Sequence, residues 1–315
     1  MSRNALVDTL FAAFVGTLPA PLRGVASGLP HALGLAPSPD VPWSEVFGNV
    51  VTLGAPLFIA DAAPQLGGAV VHDAVTAHLL AVIEAFGTDR IEDGQVARTP
   101  ALAALLEHAR RARDAAIARV AAEDARAYDD AAEATLAAIA EERGILRSGR
   151  AVDFDRYIAV SLAKQRLGVP ASLALARAAG WDLRRRRILA RMLDAIGTAL
   201  QLHDDVVDWE ADLARGGCWA AALAGGAINL AWDEDGLAAR GAVLGSGVLA
   251  RMLAASARRY RAARRRAAAL GVTRLAAWAR EREATLSDLA RHERESPGFA
   301  GRSRALSAWA RSVLG

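Results

Sequence analysis

Apolar residues recur at helical spacing along most of this chain, and nowhere between those runs does the period-two alternation of a half-buried strand appear. This pattern predicts helices over Asn4–Gly16, Trp43–Ala60, Val70–Asp93, Pro100–Ala122, Asp124–Arg143, Asp153–Arg166, Ala171–Ala179 and Asp182–Asp212. Further helices are predicted over Leu237–Ala269, Val272–Arg294 and Arg302–Val313. Gly144, Gly149, Gly180, Gly216–Gly217, Gly225–Gly226 and Gly271 punctuate the runs. Asp182 stands where an N-cap belongs. Pro and Gly cluster in Leu18–Pro42, which reads as a loop after the first helix. An α/β fold would need strand signals that are missing. The reading is one all-α domain, 1–315, a large helical bundle in which 1–42 form an N-terminal helix and loop.

Composition agrees. Ala, Leu and Arg dominate a chain that is 53% hydrophobic, and 315 residues suffice to bury a sizeable core. Arg is interleaved with Ala, Leu and Glu, as on solvated helix faces, so the pI of 9.6 does not suggest nucleic acid. The exceptions are Arg184–Arg187 and Arg258–Arg266. Of the 38 basic residues only Lys164 is lysine, so it invites a chemical reason. Cys218 is the single cysteine, which excludes an internal disulfide framework and makes a reducing cytoplasm the expected setting. No signal peptide and no membrane span is predicted, because no run of about 18 apolar residues lacks charges or breakers. Peripheral membrane contact and a homodimer are compatible with this reading.

The chemistry-bearing stretch is 201–212. Asp204, Asp208 and Asp212 recur every four residues, so on a helix they drift only about 40° per step and share one face. Three carboxylates there repel one another unless cations screen them. The apolar run Ile188–Leu202 before them should be buried. A carboxylate row leaving a buried helix suggests a metal, and hard oxygen ligands suit Mg²⁺, whose shell substrate phosphates complete. The competing reading is a solvated helix end, with Asp205 and Glu210 as further surface charges. Asp89 and Asp93, with Glu92, repeat the design after the apolar Ala74–Phe86. Lys164 and Arg166 sit where an apolar helical run ends at Gly168 and Pro170, a place that suits either cations snorkelling at a helix end or donors to a diphosphate. His203 and His78 are the histidines of interest; His203 points about 100° from Asp204, so it reads as structural.

At these residues the chain resembles the class I isoprenoid synthase superfamily, which includes terpene cyclases, polyprenyl diphosphate synthases, and squalene and phytoene synthases. Asp89-Arg-Ile-Glu-Asp93 resembles the first aspartate motif, D-x-x-x-D. Asp204, Asp205, Asp208 and Asp212 fit the second motif of terpene cyclases. Asp208 to Asp212 followed by Arg215-Gly216 is similar to the second motif of squalene and phytoene synthases. The resemblance spans roughly Val70–Tyr260. It implies a helical bundle with a central apolar cavity, two or three Mg²⁺ ions held by Asp89, Asp93, Asp204, Asp208 and Asp212, and a prenyl diphosphate substrate of the farnesyl or geranylgeranyl class. It also implies diphosphate contacts from Lys164, Arg166 and Arg215. Arg259 and Tyr260 match an Arg-Tyr pair of terpene cyclases, but closer to the second motif than usual. Phe86 and Tyr157 fall on their motifs' faces one or two turns deeper, where pocket rings would face a carbocation.

Two departures stand against chain elongation: Arg90 where a second Asp is expected, and no Gly-Lys-Arg segment near the N-terminus. Three functions remain open on the residues. One is a terpene synthase that cyclises or hydroxylates. Another is a prenyltransferase of squalene or phytoene type, or one serving a small acceptor. The third is a non-catalytic helical binding protein.

Overall fold

A computed structural model describes residues 3–47, 51–121, 125–215, 217–225 and 237–302. In chain order the helices are α1 Arg3–Thr17, α2 Ala20–Ser27, α3 Leu29–Ala32, α4 Trp43–Val46, α5 Val51–Asp61 and α6 Gly68–Glu92. Next come α7 Pro100–Val120, α8 Ala125–Ser148, α9 Phe154–Lys164, a 3-10 turn at Arg166–Gly168 and α10 Pro170–Ala178. The rest are α11 Leu183–Val207, α12 Trp209–Ala214, α13 Trp219–Leu223, α14 Leu237–Ser246, α15 Val248–Leu270 and α16 Thr273–Glu295. Among the described residues there is no strand, so the fold is all-α. The helix expected over Arg302–Val313 lies almost wholly outside the described residues, as do Gly216 and Gly226.

The chain divides into two compact units. Unit 1 holds Met1–Thr135, Arg166–Ala190 and Leu270–Val272; unit 2 holds Leu136–Gln165, Arg191–Ala269 and Thr273–Gly315. The core of unit 1 forms where α6 (Leu79, Leu80, Ile83) meets α7 (Leu102, Leu105, Ala109) and the α1 face of Val7, Phe11 and Phe14. α6 has the length and apolarity of a membrane-crossing helix. Its middle, however, is buried in that core. α5 carries Pro56, which has no N–H to give the Thr52 carbonyl four residues back. Gly54 leaves helical geometry there, and the buried His78 ring on α6 donates from Nε2 to that carbonyl at 2.9 Å. Unit 2 buries Leu202, Val206, Trp209 and Leu213 with Val160, Met252, Leu253, Tyr260 and Leu286.

Several boundaries differ from the sequence reading, each for a local reason. The expected loop over 18–42 contains α2 and α3, because Pro21 and Pro30 occupy first-turn positions, where proline starts a helix rather than ending one. Gly144 does not break α8 but lies inside it. The run from Leu237 is split at Gly247, whose φ of +66° favours glycine. Asp182 caps α11 as expected, its Oδ1 accepting from the Arg185 N–H at 2.7 Å.

Candidate functional site

The helix expected over Asp182–Asp212 is interrupted at Asp208, where φ −100° and ψ 5° separate α11 from α12. The ladder survives the break. Asp208 N–H donates to the Asp204 carbonyl at 2.9 Å, and Asp212 N–H to the Asp208 carbonyl at 2.9 Å. The three acids therefore keep their four-residue register. Residues Leu189 to Leu202 on the preceding helix bury Leu189, Met192, Ile196, Ala199 and Leu202, as the apolar run predicts. Asp212 is pushed up to about 6 by burial. Arg215 opposes this, with Nη1 3.2 Å from Asp212 Oδ1, while the Asp208, Asp204 and Glu142 carboxylates add to it. The row thus behaves as a like-charge cluster that a cation would relieve.

Asp205 is not the surface charge the spacing suggested. It is 7% exposed, accepts from the Tyr157 hydroxyl, and accepts from Gln201 Nε2 at 2.8 Å. Gln201 is held in turn by Gln165 Nε2 at 3.1 Å. Burial drives the Asp205 carboxyl well above the usual range; Tyr157 and Gln201 oppose that rise, while Glu142 and Asp204 add to it. Tyr157 lies on α9 with its ring 4.8 Å from Trp219 and 5.7 Å from Phe154. Its polar end is tied to Asp205, so Tyr157 braces the helix that carries the acid row.

The residue that sequence reasoning missed is Glu142. It sits on α8 in Glu141-Glu142-Arg143, which reads as an ordinary solvated helix face. In the fold it accepts from Lys164 Nζ and from Trp219 Nε1 at 2.5 Å. Trp219 opens α13, for which Cys218 is the N-cap, its Sγ accepting from Ala221 N–H at 3.4 Å. Burial pushes the Cys218 thiol up to about 12, so it is not a reactive nucleophile.

The other predicted residues are placed as follows. Asp89 and Asp93 belong to unit 1 at the end of α6, with Asp89 half-buried and Asp93 exposed as the C-cap. Gly94, at φ +67°, terminates that helix, and Gln95 N–H reaches back to the Arg90 carbonyl at 2.9 Å. The Arg90 side chain donates from Nη1 to the Gly34 carbonyl at 3.3 Å, a contact an Asp there would not make. Phe86 packs on Phe47, rings 4.9 Å apart, at the edge of the unit 1 core. Arg166 opens the 3-10 turn in unit 1. In unit 2 Arg259 is exposed, and Tyr260 is buried with its ring edge-on to Trp278 at 5.3 Å.

The donor set of unit 2 is hard carboxylate oxygen and suits Mg²⁺. Among the described residues, no three His, Cys, Asp or Glu side chains converge on one point.

No protein-family model matches the sequence, and no curated protein sequence matches it significantly. Solved structures do match. A polyprenyl synthetase from Streptomyces coelicolor A3(2) aligns with TM-score 0.65 and 18% identity over 91% of this chain and 97% of its own. A decaprenyl diphosphate synthase from Rhodobacter capsulatus aligns with TM-score 0.62 and 15% identity over 90% of this chain and 96% of its own. A polyprenyl synthase from Caulobacter crescentus CB15, complexed with calcium and isoprenyl diphosphate, aligns with TM-score 0.60 and 18% identity over 90% and 94%. The chain has the all-α fold of the class I isoprenoid synthases.

Proposed function

We propose that this protein is a Mg²⁺-dependent class I terpene synthase that ionises a prenyl diphosphate of the farnesyl or geranylgeranyl class and releases diphosphate. The observation that carries the reading is the Asp204, Asp208, Asp212 row. It stays in register across a helix break, with Arg215 and a paired lysine nearby, in a fold shared with prenyl diphosphate synthases. Asp204, Asp208 and Asp212 would hold metal in unit 2, and Asp89 and Asp93 of the first motif would hold metal in unit 1. The chemistry Mg²⁺ would supply there is neutralisation of charge developing on the leaving diphosphate. In unit 2 Lys164 would add a donor to diphosphate oxygens as a point charge and Arg215 as a fork; Arg166 of unit 1 is a further fork-shaped diphosphate donor. Tyr157 and Gln201 fix Asp205 beneath the row and so fix the backbone that presents Asp204 and Asp208. Apolar helix faces that exclude water would let the allylic cation be cyclised before it is quenched, or be quenched in a controlled way.

A second reading is prenyl coupling. It is favoured by Asp208, Asp212 and Arg215 in the squalene- and phytoene-type spacing and by the polyprenyl synthases among the structural relatives. Against ordinary chain elongation stands Arg90, which is engaged with the Gly34 carbonyl rather than offering a carboxylate. Purified protein is incubated with Mg²⁺ and geranyl, farnesyl and geranylgeranyl diphosphates, singly and in pairs. A hydrocarbon or alcohol from one substrate alone supports the synthase. A coupled product that needs two substrates moves the assignment to the second reading. Folded protein that releases no diphosphate in any mixture removes both.

A further inference from the structure

Glu142 is buried to 12% side-chain exposure in a neighbourhood already crowded with carboxylates. Its charge raises Asp205, Asp212 and the Tyr157 hydroxyl, so it lies within electrostatic reach of the acid row. Such a group is costly unless paired. Its partners come from two elements: Lys164 at the end of α9, itself 12% exposed, and the indole N–H of Trp219 at the start of α13. Lys164 is the chain's sole lysine. Its charge is therefore already matched by a carboxylate before any ligand arrives.

We propose that Glu142 is a positioning residue that weakens the protein's hold on diphosphate by competing with it for Lys164, and so promotes product release. This rests on the reading that Lys164 binds the diphosphate of a prenyl substrate. A diphosphate oxygen approaching the ammonium must displace the Glu142 carboxylate or share the cation with it. Trp219 keeps that carboxylate in place throughout, so the competitor returns when diphosphate leaves. An uncontested lysine would bind substrate and product alike more tightly, which does nothing for the chemical step and slows departure.

The test is calorimetric titration of inorganic diphosphate into the full chain with excess Mg²⁺. Wild type is compared with Glu142→Gln, which removes the charge and keeps one acceptor oxygen, enough for Lys164 or Trp219 but not both. The expected result is at least about tenfold tighter binding in the variant, the lower end of what a hydrogen bond to a charged group is worth. In turnover, KM and kcat should fall together. A purely structural Glu142 predicts the opposite sign, because loosening the pair would disorder the lysine and weaken binding. If circular dichroism shows Glu142→Gln misfolded, Glu142→Asp, which withdraws the carboxylate by one methylene, is titrated instead with the same expected sign. Wild type that binds diphosphate and a folded variant that binds it equally or more weakly overturn the proposal alone. Wild type that binds no diphosphate overturns the functional reading beneath it as well.

Discussion

His78 offers a perturbation whose size can be worked from its surroundings. The ring is 2% exposed on α6 and fills the carbonyl of Thr52 that Pro56 cannot. Burial lowers its pKa from 6.5 to about 4, while backbone contacts at Thr52 and Gly168 oppose the shift. A histidine held neutral in the fold contributes stability that is present above its unfolded pKa. That contribution is lost as pH falls through the window from 6.5 toward 4. At 1.36 kcal/mol per unit, the loss is about 2 kcal/mol at pH 5 and about 3 kcal/mol at pH 4. His78→Gln removes the titration while keeping a donor for Thr52. Urea denaturation of both proteins at pH 7.5, 6.5, 5.5 and 4.5 isolates the effect as a difference, since other titrating groups are common to both. Wild type should lose stability relative to His78→Gln by that margin on acidification. Parallel stability curves would refute the buried, neutral histidine.

Tyr157→Phe removes only the hydroxyl that donates to Asp205, leaving the ring against Trp219 and Phe154; denaturation should show a loss of about 1–3 kcal/mol, and a change near zero would contradict the brace. Two glycine substitutions should differ in size. At Gly87 an added Cβ would meet Leu106 Cδ2 at 2.7 Å, so the half-buried Leu106 side chain must shift and Gly87→Ala should gain less than alanine's helix propensity alone would give. At Gly144, inside α8 with nothing within 4 Å of the added Cβ, Gly144→Ala should raise stability by about 0.5–1 kcal/mol. Equal effects at the two positions would mean that neither packing environment is as described.

Much of the architecture is legible in local pattern, because helix period, caps and terminating glycines act within a few residues. The Asp182 cap, the α6 terminus at Gly94 and the buried run before Asp204 are of this kind. What escaped depends on distant partners or on position within a turn. Pro21 and Pro30 look like breakers until their first-turn positions are known. Asp205 looks like its exposed neighbour Asp204, and only Tyr157, 48 residues earlier, marks it as buried. Glu142 has no signal at all in Glu141-Glu142-Arg143; its meaning comes from Lys164 and from Trp219, 77 residues away. The four-residue spacing of the acids was visible, but the kink at Asp208 that separates α11 from α12 was not.

On the proposed function, the acid row of unit 2 serves metal-dependent loss of diphosphate from a prenyl substrate. The direct measurement is diphosphate release from farnesyl and geranylgeranyl diphosphates, in Mg²⁺ and in excess chelator, by wild type and by the Asp204→Asn, Asp208→Asn, Asp212→Asn triple variant. The account predicts release by wild type in Mg²⁺, none above background in chelator, and a drop of at least about a hundredfold in a folded triple variant. Release that persists undiminished in that variant would contradict it.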